Sequence, residues 1–288
     1  MMTPELIVNY ACHTGENPLW NPFDKQVYWL DIPVGTIFRY DPATGAPEVF
    51  YQGAVMGGFT LQSDGSLLLF GVGGAVRHLY RGAVTTLIES LPGEEGNRFN
   101  DVMADPAGRV LCGTMPYTPG SESGSLYLLE RDGLIRKLRD SIQLSNGMGF
   151  SPDLKTFYHT DSVVRTITRF DYDAATGDIA NPQLFAQRPP EQGVPDGLTV
   201  DAEGFIWSAV WNGSRLVRYD PDGRIEREVP FPVRKVSSLT FGGDDYSDIY
   251  VTTAGGDNPA ENGALAGALF RLRLGITGRP DFLSACRV

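Results

Sequence analysis

Long apolar runs are missing from this 288-residue chain. Nothing approaches the roughly 18 apolar residues of a spanning helix, so no membrane crossing is expected. The opening residues carry neither a basic segment nor an apolar core, so no secretory leader is expected. Cysteine is scarce as well. Cys12, Cys112 and Cys286 are odd in number and show no CxxC spacing. That argues against a disulfide framework and a thiolate zinc site, and makes a reducing cytoplasm the expected compartment. Basic residues are in deficit, with 24 Lys and Arg against 35 Asp and Glu and a net charge of -11. Such a chain repels nucleic-acid backbone and anionic membrane, so neither is an expected partner. Sustained helical periods with caps at both ends are also lacking.

Turn residues and short β-rich runs fill the space. The chain has 34 Gly and 20 Pro, a composition that favours many turns over long helices. The stretch Gly193-Val-Pro-Asp-Gly-Leu-Thr-Val-Asp-Ala-Glu-Gly-Phe-Ile-Trp-Ser-Ala-Val-Trp211 contains the basic unit. Gly197-Leu-Thr-Val-Asp alternates apolar and polar residues, Asp201-Ala-Glu-Gly204 supplies turn chemistry, and a β-rich run follows. The unit recurs. First strands open near Asn17, Gly58, Asp101, Gly147, Gly197 and Ser238. Second strands follow at Val27-Tyr-Trp-Leu-Asp, Leu67-Leu-Leu-Phe-Gly, Val110-Leu-Cys-Gly-Thr, Phe157-Tyr-His-Thr-Asp, Ile206-Trp-Ser-Ala-Val and Ile249-Tyr-Val-Thr-Thr. Third strands and weaker fourth strands complete most units. A spacing of roughly 40 to 50 residues is that of four-stranded propeller blades.

The expected fold is therefore all-β: a six-bladed β-propeller with four antiparallel strands per blade, one domain over residues 1–288. A β-sandwich is the competing arrangement, but so many strands would overfill it. The N- and C-terminal segments should share one blade, with Leu6-Ile-Val-Asn beside the last repeat, because closure removes an exposed sheet edge. Two connections are long, 116–124 and 255–267, a length common in functional loops and in plain surface loops alike.

In a propeller the innermost strand of each blade lines the central channel. The residue just before it, at the channel mouth, is Glu16, Gly57, Asn100, Asn146, Asp196 or Ser237. Four of these carry a carboxylate or amide oxygen. Taken singly, an Asn or Asp there is usually a turn residue serving local amides. Their shared phase around the ring makes a hard-oxygen site for a divalent cation. His13, His78 and His159 fall elsewhere, which argues against a histidine-rich zinc site. Arg98, two residues before Asn100, can reach the mouth and bind a hydroxyl or carboxylate through its planar fork. Asp101 and Asp161 are candidate supports, with strand-end backbone capping an equal alternative, and the strand Trp and Tyr residues read as packing between blades.

Several motifs occur together in order: Gly15-Glu-Asn-Pro-Leu-Trp20, Asn97-Arg-Phe-Asn-Asp101, Asp105-Pro-Ala-Gly-Arg109, Gly113-Thr-Met115, Ser145-Asn-Gly147, Phe157-Tyr-His-Thr-Asp-Ser162, Pro195-Asp-Gly197 and Phe241-Gly-Gly243. With these the chain resembles, over essentially its whole length, the SMP-30/gluconolactonase/regucalcin family of metal-dependent sugar lactonases. The resemblance implies a six-bladed propeller with one divalent ion, whether Ca, Zn, Mn, Mg or Fe(II). It implies Glu16, Asn146 and Asp196 as metal ligands and Arg98 and Asn100 as substrate contacts, with Asp196 as the general base. The implied partner is a sugar lactone such as gluconolactone or a pentonolactone, for a monomer or small homo-oligomer. The chain departs from the family pattern at Asn17, where a glycine is usual. After Gly113-Thr-Met115, where some members place an acidic substrate contact, it reads Pro116-Tyr-Thr-Pro, with Glu122 further on. Two other classes stay open: another metal-dependent esterase, on aryl esters or phosphotriesters, and a non-enzymatic calcium-binding regulatory propeller.

Overall fold

Alternating apolar residues make each sequence unit a strand with one or both faces to bury. A computed structural model describes residues 3–288 and arranges these units as six four-stranded sheets. Five sheets are simple meanders in chain order. The first of them, for example, runs Gly15–Asn21, Gln26–Asp31, Thr36–Asp41 and Ala46–Gln52, each strand antiparallel to the next. The sixth takes its three inner strands from Val236–Gly242, Asp248–Thr253 and Leu269–Arg273. Its outer strand is the N-terminal Glu5–Val8, paired with Leu269–Arg273. The two ends of the chain thus close the ring, as expected. Among the described residues, helix is limited to Pro259–Asn262 and two short 3-10 turns, Ile32–Val34 and Pro190–Gln192. No helix there is long and apolar enough to cross a membrane.

The core is divided among the junctions between sheets. Six clusters of buried side chains each join two neighbouring blades. Trp207 and Leu216 of the fifth blade meet Leu239, Phe241 and Phe270 of the sixth, for example. Trp20 and Trp29 of the first blade meet Tyr250 and Leu269 of the sixth. The strand aromatics are therefore inter-blade packing, each large apolar side chain worth about 1.5–3 kcal/mol of burial.

The two ends of the channel differ. At one end the chain after the last strand crosses the first-strand termini and visits several blades. Thr277 O accepts Ala202 N, Ser284 N donates to Leu61 O, and Ala285 N donates to Gly108 O. Asp281 and Phe282 reach inward and bound a narrow space of about 80 Å3 within the channel. Nothing periodic in residues 274–288 announces this crossing. The other end is open.

Candidate functional site

The open end is a cleft of about 610 Å3. Glu16, Arg98, Asn100, Asn146 and Asp196 all line it, so five residues from four blades converge as the repeat phase implies. Glu16, Asn100, Asn146 and Asp196 are each about 4–6% exposed. None of the three histidines lines the cleft.

The blade-leading residues stand inside the first strands rather than before them, which corrects the sequence reading. In each blade the pairing of first and second strand slips at this point. The slips fall between Glu16 and Leu19, Met56 and Gly58, Phe99 and Val102, Ser145 and Met148, Pro195 and Leu198, and Val236 and Ser238. A β-bulge re-aims a side chain out of the regular pleat. Here it aims successive side chains at the mouth. Asn146 and Asp196 are each followed by a glycine. A Cβ on Gly147 would collide with Leu198 N, and one on Gly197 with the side chain of Ser238. Only a bare backbone lets the first strands approach so closely.

Two aspartates brace the segments that lead into the cleft. Asp31, at the end of its strand, accepts His13 N at 3.0 Å and Thr14 N at 2.9 Å, ahead of Glu16. Asp161, in the same place in the fourth blade, accepts Gln143 N at 2.9 Å and Leu144 N at 3.1 Å, ahead of Asn146. Asp161 thus caps backbone at its strand end, the second of its two expected roles. Asp31 was not singled out, although both residues end second strands. Asp101 instead faces the channel interior below the cleft. Burial raises its pKa to about 7, against a lowering influence of Arg98.

The amides are oriented by hydrogen bonds. Asn146 Nδ2 donates to Ser162 Oγ at 3.0 Å, and Ser162 Oγ donates to Pro195 O at 2.6 Å. The amide cannot turn, and Asn146 Oδ1 is left buried without a partner. Asn100 Nδ2 donates to Ser145 O at 2.8 Å, while Arg98 Nη1 donates to Asn100 Oδ1 at 2.7 Å and Phe99 O at 2.8 Å. Ser145 Oγ lies 2.8 Å from Nε2 of the buried His159. Ser162 is an orienting residue that the sequence reading quoted in a motif without giving it a role.

The carboxylates are short of positive charge. Glu16 is pushed well above the usual carboxylate range by burial first, then by Asp196 and Asp101; Asn17 N and Arg98 pull the other way. Asp196 is likewise raised by burial and by Asp101. Neither forms an ion pair among the described residues; Glu16 accepts Asn17 N at 3.0 Å. Two buried carboxylates and one orphaned amide oxygen are a hard-oxygen donor set matching a divalent cation.

The remaining candidates are elsewhere. Ser237 Oγ donates to Gly15 O and serves the backbone. Gly57 packs against Phe99 O. Glu122 lies in a separate surface depression with Gly96 and Thr118. The 255–267 loop braces the approach to Glu16, since Gly255 N donates to Cys12 O and Gly256 N to His13 O. Asn17 adopts φ 49° and its Oδ1 accepts Phe59 N at 2.7 Å. Asn is among the few side chains that tolerate this left-handed backbone, so it replaces glycine and ties the first blade to the second.

The model of the SMP-30/Gluconolactonase/LRE-like region matches residues 14–255. This chain belongs to that family. Among its relatives, pentonolactonase XacC of Haloferax volcanii is 42% identical over 300 residues, covering 100% of both chains. Regucalcin of Oryctolagus cuniculus is 35% identical, over 96% of this chain and 97% of the relative. Among solved structures, the calcium-binding protein regucalcin of Agrobacterium tumefaciens superposes with a TM-score of 0.91. It is 28% identical, over 98% of this chain and 97% of that one.

Proposed function

We propose that this protein hydrolyses sugar lactones to the open-chain acids, with one divalent cation held by Glu16, Asn146 and Asp196. The observation that carries the reading is the buried donor set itself. Two carboxylates held above their usual pKa and a fixed, unpartnered amide oxygen share one cleft. An isolated buried carboxylate is costly, and a cation offsets that cost. Membership of a family named for gluconolactonase and the likeness to a pentonolactonase support the lactone class. The likeness to regucalcin, and to a structure described as calcium-binding, supports the ion without fixing its identity.

When bound, a divalent ion supplies Lewis acidity toward the lactone carbonyl and its developing negative charge. The side chains do the rest. Asp196 in its ionised form accepts a proton from the attacking water. A positioned base of this kind contributes about 100- to 10,000-fold. The same proton then passes to the ring oxygen that leaves as the ester opens. Arg98 keeps donors free beyond its bonds to Phe99 O and Asn100 Oδ1, and these orient sugar hydroxyls. Asn100 is held on both faces of its amide and fixes Arg98 in turn. Ser162 holds the Asn146 amide, so that its oxygen would be available to a bound ion.

The test is hydrolysis of several aldonolactones, aryl esters and phosphotriesters by metal-stripped protein, with Ca, Mg, Mn, Zn or Fe(II) added back singly. Turnover of sugar lactones that appears only with an ion is expected. Ion-independent turnover, or a preference for aryl esters or phosphotriesters, would contradict the reading.

A further inference from the structure

Most buried arginines here are occupied by the protein. Arg109, for example, donates to Asp105, Tyr172 and the carbonyls of Ala174 and Ala175. Arg165 is different. It lines the same cleft as Glu16 and Asp196, yet its Nε is buried without a hydrogen-bond partner. No carboxylate among the described residues forms an ion pair with it. The side chain as a whole is half-buried, but a desolvated donor left unspent at Nε is unfavourable unless something else fills the place.

Its backbone is held firmly. Arg165 lies between the second and third strands of the fourth blade, at φ 60°. Its N–H donates to Ser162 O at 3.1 Å, and its carbonyl accepts Arg188 N at 3.0 Å. A left-handed backbone is uncommon at a non-glycine residue but recurs at other turns of this chain, such as Lys25 and Leu154, so it fixes the place of Arg165 without marking a site by itself. The same turn carries Ser162, which grips Asn146, so Arg165 is in fixed register with the donor set. Asn212 occupies the matching turn of the fifth blade, also at φ 60°, and also lines the cleft.

We propose that Arg165 is a substrate-positioning residue that binds the oxygen substituents of the lactone's tail, the part carrying no ester bond. This rests on the sugar-lactone reading and narrows it: the cleft selects polyhydroxylated lactones over unsubstituted ones. Arg98 comes from a strand of the third blade and Arg165 from a connection of the fourth, so two guanidinium groups from different blades line one cleft with Asn146. Planar guanidinium donors suit pairs of hydroxyl oxygens better than an ammonium does.

The experiment compares wild type, Arg165→Met and Arg165→Lys as full-length, ion-loaded proteins. Gluconolactone and unsubstituted δ-valerolactone are the substrates. Inhibition by the linear polyol sorbitol is measured alongside. Loss of one charge-assisted contact is worth roughly 10-fold in binding. In Arg165→Met, KM for gluconolactone should rise about that much with kcat within about twofold. The sorbitol inhibition constant should rise in parallel, and kcat/KM for δ-valerolactone should change less than about twofold. Arg165→Lys should recover part of the loss. Equal loss on both lactones, a fall in kcat alone, or an unchanged sorbitol constant would overturn the proposal. If wild type turned over no aldonolactone with any ion, the lactonase reading itself would fall, and this with it. A wild type that turns over gluconolactone but responds to Arg165→Met in none of these ways overturns only the tail contact.

Discussion

Asp196 and Asp201 stand near the two ends of one strand, Val194–Val200, and both are buried. Their surroundings are opposite. Asp201 Oδ1 accepts the backbone N–H groups of Glu203 and Phe205, and its Oδ2 accepts Trp207 Nε1 and the guanidinium of Arg218. Asp105 is built in the same way around Arg109 and Tyr172 at the end of the third blade's first strand. Asp196 has no such cation; burial and then the like charge of Asp101 raise its pKa, and only the Asn146 side chain works against them. One kind of carboxylate holds the fold together and the other is left wanting a partner. The difference supports the proposed site at the open mouth and sets it against the far end, where the C-terminal chain satisfies polar groups that it covers. Thr60 and Thr240 are bonded there to Ser284 and Asp281, and Gln62 to the backbone of Cys286.

Changing each carboxylate to its amide breaks the comparison most sharply. Asp196→Asn should lower ion-dependent lactone hydrolysis by about 1,000-fold or more, while the melting temperature of the metal-free protein holds or rises. Asp201→Asn should do the reverse. Removing one partner of a buried pair costs about 3–5 kcal/mol, seen as a lower denaturant midpoint, with turnover per folded molecule retained. Equal behaviour of the two variants would erase the distinction.

A smaller effect is expected at Ser162. In Ser162→Ala the amide of Asn146 loses its anchor, and affinity for the ion should fall about 10- to 100-fold, read by titrating the metal-stripped protein. A separate proton effect, read in stability and not in ion binding, is expected at His159, whose pKa burial lowers to about 3, with Arg139 adding to it. The folded state keeps this ring neutral, and the unfolded chain protonates it below about 6.5. Its contribution to stability is complete above that pH and is lost as pH falls from 6.5 toward 3, by about 1.4 kcal/mol per unit. Denaturation of His159→Gln and wild type across that window should show this slope only in the wild type.

Much of this was legible in the chain because a propeller repeats. Turn chemistry such as Asp201-Ala-Glu-Gly204 and the aromatic second strands recur with one period, and that period places Glu16, Asn146 and Asp196 in phase. The bulges were not legible, since an extra unpaired residue is defined only by the partner strand. Ser162 and Arg165 come from the connection between the second and third strands of the fourth blade, where no repeat constrains the residue type. Asp31 carried a signal, because it ends a second strand as Asp161 does. The crossing of residues 274–288 under the channel depends on single hydrogen bonds to several blades, which leave no pattern in composition or spacing.

Calorimetric titration of the metal-stripped protein with a divalent ion, for wild type and for Glu16→Gln combined with Asp196→Asn, tests the central claim most directly. One ion per chain is expected in the wild type, and no measurable binding in the double variant, with both remaining folded. Undiminished binding in the double variant would contradict it.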